Sequence, residues 1–171
     1  MKGRDVILGS LMKRPMSGYD IKLVFEDIFS HFFDGSFGMI YPTLKQLEKQ
    51  SLITKEVVIQ DGKPNKNLYS ITPQGIEEFN KYLEQDMQKD VLCSDFLMRM
   101  YFGEYVEKTT LIKWIEDEIE IKKYNIKQLQ EKKIEWSNGI TPSQEICLEL
   151  GIANYSAYLE TLKQKLSELK K

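Results

Sequence analysis

The stretch GMIYPTLKQLEKQSLI, Gly38–Ile53, decides how this chain is read. Its apolar residues Ile40, Leu44 and Leu47, with Phe37 just upstream, recur at three- and four-residue steps, the spacing that lines one face of a helix. A helical wheel puts Gly38, Pro42, Lys45 and Lys49 on the opposite face, with Tyr41 at its edge. Pro42 belongs in or near the first turn, because a proline farther in removes a backbone hydrogen bond. From Leu52 to Ile59 the residues become β-branched, the segment from Gln60 to Asn67 holds Asp61, Gly62 and Pro64, and Leu68 to Ile71 resumes strand character. A helix leading into a β-hairpin is the expected structure.

Upstream, Val6, Ile7, Leu8, Leu11 and Met12 predict a short helix from Asp5 to Lys13, ended by Pro15. Ser17 stands three residues before Asp20 at the head of a second amphipathic pattern, Ile21, Phe25, Ile28 and Phe32, which reads as a capped helix. A turn at Asp34 and Gly35 follows. Downstream, Thr72 places a capping hydroxyl before Pro73, and Ile76, Phe79, Leu83 and Met87 give a fourth helix its apolar stripe. The order helix, helix, helix, hairpin, helix is that of a winged helix-turn-helix module.

The rest, Val91 to Lys171, carries no strand pattern and reads as all helical, continuous with the first part through the helix after Pro73. One long helix is predicted from about Lys108 to Trp136 on Ile112, Ile115, Ile119, Ile126, Leu129 and Trp136. A break at Ser137, Asn138 and Gly139 precedes a last helix from about Ser143. Its seam, Tyr155, Leu159, Leu162, Leu166 and Leu169, has heptad-like steps and calls for a partner helix, in this chain or in another copy of it. Little sequence remains to cover it, so these five residues are the expected dimerisation surface.

The 171 residues are enough for one domain or two small ones, and 42% hydrophobic with 29% charged residues excludes disordered, collagen-like and disulfide-scaffold classes. No run of 18 apolar residues exists to span a membrane, and Val6 to Met12 is too short and too soon followed by Lys13 and Arg14 to be a signal peptide. Cys93 and Cys147, in apolar helical surroundings, are expected to be reduced, buried thiols of a cytoplasmic protein. The net charge of −2 conceals a gradient: Met1–Ile71 holds ten Lys and Arg against eight Asp and Glu, Thr72–Asp90 two against five, and Val91–Lys171 twelve against thirteen. Only the N-terminal part is basic, as a phosphate-binding surface requires.

GMIYPTLKQLEKQSLI resembles the recognition helix and following strand of the PadR family of winged-helix transcriptional regulators. VILGSLMKRPMSGYDI, Val6–Ile21, is similar to that family's first helix and turn, with Gly18 and Tyr19 in matching places, and YSITPQG, Tyr69–Gly75, to its second wing strand and helix cap. The second half is similar in length and helical character to the C-terminal dimerisation domain of the longer subgroup, which is related to virulence activators. The family usually has glycine where this chain has Ser51; a left-handed backbone there would make serine costly. The resemblance implies a chain that is mainly α with a small β-hairpin wing. Residues 1–90 would be a winged helix-turn-helix DNA-binding domain and residues 91–171 an all-helical dimerisation domain. It also implies a repressor; a homodimer of it would meet an inverted-repeat operator with half-sites roughly 34 Å apart, with release by a small-molecule effector as a further expectation. Activation of transcription by the same fold is the alternative.

The helix face bearing Gly38, Pro42, Lys45 and Lys49 suits a major groove: small residues permit close approach, and lysines reach phosphates or guanine edges. Tyr41 is expected to donate to a phosphate, and Tyr19 joins the contact set through the resemblance. At the wing, Lys63, Lys66, Asn65 and Asn67 suit backbone or minor-groove contact. Lys2, Arg4, Lys13 and Arg14 add nearby charge. Phe96, Met98, Met100, Tyr101, Phe102 and Trp114 supply flexible apolar surface that ordinary core packing explains best. No metal-ligand spacing, phosphate loop, nucleophile elbow or dinucleotide fingerprint occurs, and His31 is the sole histidine, so neither cofactor nor catalysis is expected. The remaining rival is a helical adaptor that binds only protein, separable from a DNA-binding protein by the salt dependence of DNA binding.

Overall fold

Several helices begin where an early backbone N–H finds a side-chain acceptor, the hydroxyls of Ser17, Thr72, Ser94 and Thr141 each taking one. A computed structural model describes residues 2–33, 37–59, 62 and 65–171. Helix α1 spans Gly3–Leu11, with the Asp5 carboxylate accepting from the Lys2 N–H at 2.9 Å. Strand β1, Met16–Ser17, leads into α2, Gly18–Asp27. There the expected capping pair forms: the Ser17 hydroxyl accepts from the Asp20 N–H at 3.1 Å and the Asp20 carboxylate from the Ser17 N–H at 2.9 Å. Helix α2 is shorter than its apolar pattern, so Ile28 packs from the C-cap and Phe32 lies exposed beyond it. Helix α3 spans Ile40–Lys49 after a 3-10 turn, Phe37–Met39; the side chain of Phe37, like the turn at Asp34 and Gly35, falls outside the described residues.

The hairpin consists of β2, Ile53–Val58, and β3, Lys66–Ile71, antiparallel with Lys55 opposite Tyr69. Strand β1 pairs on the other side of β3, Met16 opposite Tyr69, so the sheet order is β1-β3-β2. Two residues are too few to show an alternating pattern, and β1 was therefore not foreseen. Helix α4, Pro73–Leu83, closes this unit. One core joins α1, α2, α3 and the sheet: Ile7, Leu8, Leu11, Ile21, Ile40, Leu44, Leu47 and Ile53 are all essentially inaccessible.

The junction between α3 and β2 departs from ordinary backbone geometry. Ser51 adopts φ 58°, the left-handed region. The Leu52 N–H donates to the Leu47 carbonyl and the Ser51 N–H to the Glu48 carbonyl, each at 3.0 Å, the double closure that ends a helix through a left-handed residue. Leu47 and Leu52 share the core cluster. Thr72 locks the turn from outside: its hydroxyl donates to the Ser51 carbonyl at 2.8 Å and accepts from the Gly75 N–H at 3.0 Å. A Cβ on Gly75 would lie 2.1 Å from the Leu52 carbonyl oxygen, so only glycine lets α4 start there.

The chain divides into two compact units, Met1–Asp90 and Val91–Lys171. The second holds α5, Asp95–Tyr101, and two 28-residue helices, α6 (Lys108–Glu135) and α7 (Pro142–Leu169). Thr141 caps α7 with Pro142 at the first helical position, one residue ahead of expectation. The α7 seam finds its cover in the same chain: Leu162 is buried with Ile115 and Ile119 of α6, and Leu159, Leu166 and Leu169 pack against that cluster. Tyr155, also of the seam, is half-buried. The expectation that the seam lacks an intrachain cover is corrected, because α6 and α7 carry matching heptad-like stripes.

Other expectations also change. Helix α4 stops at Leu83, and 86–93 has no regular secondary structure, so no helix continues into the second unit. Of its apolar stripe only Phe79 packs on the core; Ile76 and Leu83 are exposed and Met87 is 99% exposed. Both cysteines are free and exposed rather than buried, since Cys93 precedes α5 and Cys147 lies off the α6-facing side of α7. Core packing accounts for Phe96 and Met100 but not for Met98, Tyr101 and Phe102, which are exposed; Arg99 lies 5.6 Å from the Trp114 ring. Among the described residues, no helix is long and apolar enough to cross a membrane.

Candidate nucleic-acid interface

Helix α3 is amphipathic because Ile40, Leu44 and Leu47 anchor one side in the core. What remains outside is Gly38, Tyr41, Pro42, Lys45, Gln46 and Lys49, all exposed. The five positions expected from the sequence on this stretch are therefore together on one surface. Gln46 was missed; its place four residues after Pro42 and three before Lys49 was the available signal.

Tyr41 is 59% exposed, yet its ring is fixed. A Cβ on Gly18 would meet a Tyr41 ring carbon at 2.6 Å, so the ring lies flush against the start of α2 and requires glycine there. Tyr19 follows Gly18 and is 61% exposed, which brings both tyrosines to the α2–α3 junction.

Charge on this unit is unequally committed. Arg4 pairs with Glu78 at 3.3 Å, Lys22 with Glu26 at 3.2 Å and Lys55 with Glu48 at 3.6 Å. Lys45 and Lys49 have no acidic partner among the described residues. A lysine without an internal counter-ion keeps its charge for an external one.

Lys66 is engaged within the chain. Its ammonium lies 3.1 Å from the Asp20 carboxylate, tying β3 to the cap of α2. Burial alone would raise the Asp20 pKa, but hydrogen bonds from the Ser17 hydroxyl and N–H, with Lys66, outweigh it and lower it from 3.8 to about 2. Asn65 and Asn67 are exposed, whereas Lys63 lies outside the described residues. His31 is half-buried in a 3-10 turn, its pKa pushed down by burial against the opposing charge of Asp27. Among the described residues no cluster of His, Cys, Asp and Glu is arranged to hold a metal.

Comparison with known proteins identifies this architecture. The model of the transcriptional regulator PadR-like family matches residues 7–81. A PadR-like transcriptional regulator of Bacillus cereus, solved by crystallography, is 58% identical, covers 99% of this chain over 98% of its own, and superposes with a TM-score of 0.90. A Streptococcus mutans protein of known structure is 46% identical over 98% of this chain and 99% of its own, with a TM-score of 0.94. The negative transcriptional regulator PadR of Bacillus subtilis is 28% identical over 125 residues, 72% of this chain and 69% of that protein. Its crystal structure with operator DNA shares the fold at a TM-score of 0.81, over 97% of this chain and 98% of that one. With the recognition-helix segment, the capping motif and a full-length likeness in agreement, this chain belongs to the PadR-like family of transcriptional regulators.

Proposed function

We propose that the chain is a cytoplasmic repressor that binds operator DNA as a homodimer. Helix α3 enters the major groove, the wing at β2–β3 lies along the backbone, and a small-molecule effector releases the complex. The observation that carries this reading is the exposed face of α3, where Lys45 and Lys49 lack acidic partners among the described residues while Arg4, Lys22, Lys55 and Lys66 are paired. Gly38 and Pro42 keep the leading end of that face thin, and Tyr19 and Tyr41 stand beside it as phosphate donors. Asn67 is exposed on the wing and suited to the backbone, Lys63 is kept as a backbone contact on its residue type alone, and Lys66 acts through its tie to Asp20. The relative of known complex, Bacillus subtilis PadR, was solved with operator DNA and with p-coumaric acid, which supports DNA and a small ligand as partners here.

The dimer is assigned to the second unit. Tyr155, Leu159, Leu162, Leu166 and Leu169 hold α7 on α6, and the outward residues Ile146 and Leu150 of α7, with Ile121 and Tyr124 of α6, leave apolar surface for a second copy. Two modules on one duplex gain affinity through effective concentration.

The test is titration of the full-length protein with bound genomic fragments at rising salt. Lys45→Ala and Lys49→Ala are each expected to weaken binding and to lower the log–log salt slope by about one unit for a lost phosphate contact. Binding that ignores salt in the unmodified protein would return the adaptor reading. Truncation after Asn138 should abolish the dimer on sedimentation and weaken binding with it.

A further inference from the structure

We propose that Gln46 is the specificity-determining residue of α3 and that it takes an adenine edge in the major groove. This rests on the reading of α3 as the groove-entering helix. Gln46 is exposed in the middle of a ten-residue helix, with Pro42 one turn before it and Lys49 one turn after on the same face. Its side chain has no hydrogen-bond partner among the described residues. The surrounding groups discriminate bases poorly. Pro42 offers no side-chain polar atom, the Tyr41 ring is held against Gly18, and a lysine ammonium is a point charge that donates to a phosphate or to a guanine acceptor alike.

A carboxamide is different. It carries a donor and an acceptor side by side, the pattern that adenine N7 and the adenine amino group complement in the major groove. Gln50, the other exposed amide on this surface, sits at the C-cap beside the Ser51 turn, away from the N-terminal end of the helix that leads into a groove. Gln46 is thus the amide placed to read a base.

The experiment selects a consensus duplex from a random-sequence pool with the full-length protein. It then measures binding of wild type, Gln46→Ala and Gln46→Glu to that duplex and to copies in which single adenines become 7-deazaadenine. The expected result is one adenine per half-site whose replacement weakens the wild type about tenfold or more, with Gln46→Ala indifferent to the replacement. Gln46→Glu should select cytosine at that position, since a carboxylate accepts from the cytosine amino group. A Gln46→Ala protein that selects the same consensus with undiminished adenine preference overturns the inference. If Lys45→Ala still lowers the salt slope in that case, the DNA-binding reading stands alone. A wild-type protein that selects no consensus overturns both.

Discussion

The two units of this chain are stabilised in opposite ways. In Met1–Asp90 no helix among the described residues exceeds 11 residues, and order comes from side chains of several elements meeting in one core, from the left-handed backbone of Ser51 and from the close approach of Gly75 to the Leu52 carbonyl. In Val91–Lys171 two helices of 28 residues run together along a repeated stripe, laced on the outside by short-range pairs such as Lys123–Glu120 and Lys165–Glu168. Short helices have little stability of their own, so the first unit depends on every contact being in place; long ones distribute it. The contact-dependent unit is the one that carries the candidate interface, where side chains must be held at defined positions.

The contrast is broken most severely at Leu44, which is fully buried where α3 meets the core. Leu44→Ala should cost about 4 kcal/mol, seen as loss of hydrogen-exchange protection in α1 and α3. Leu162→Ala, at 8% exposure on the α6–α7 seam, should cost about 2 kcal/mol, because a long helix pair closes over part of the gap. Both tryptophans, Trp114 and Trp136, lie in the second unit, so their fluorescence follows that unfolding. Equal costs at the two sites would show that the seam is as contact-dependent as the α3 core.

Acid sharpens the comparison next. The Asp20 carboxyl has a folded pKa below its ordinary value, so its stabilisation is complete above about 3.8 and is lost as pH falls towards about 2. Wild type should be more stable than Asp20→Asn at pH 5, and the difference should vanish over that window. Glu168 in the second unit is also held down, by Lys165 and then Gln164, but it is fully exposed and its removal should shift acid unfolding little. A constant gap between wild type and Asp20→Asn down to pH 2 would sink the assignment.

The smallest effect is a gain. Ser51→Gly relieves a left-handed serine at the end of α3 and should stabilise the first unit by about 1 kcal/mol in thermal unfolding, part of the relief being offset by the freer unfolded chain. No gain would mean that the Thr72 bond to the Ser51 carbonyl already compensates the strain.

Much of the fold was legible because local rules decide it. Ser17 with Asp20, Thr72 with Pro73, and the three-four spacing of Ile40, Leu44 and Leu47 each specify an element through neighbours in sequence, and the structure contains all three. The exposed face of α3 that forms the candidate interface follows from the same spacing, since whatever is not buried must face outward. Even the departure at Ser51 was visible as a residue in a glycine's place.

What only the tertiary structure decided are the choices among partners far apart in sequence. Periodicity says that the α7 seam needs a cover, but not that α6 supplies it; an apolar stripe carries no address. Composition counts Lys66 as basic surface, yet folding brings β3 beside the α2 cap, and Asp20 takes its charge. Strand β1 exists only because β3 offers it unpaired backbone groups, and the exposure of Cys93 and Cys147 depends on which helix sides meet. Local sequence determines the elements through short-range hydrogen bonding and spacing; which surfaces are then consumed and which stay free is settled by long-range packing and charge, and these act only once the chain has folded.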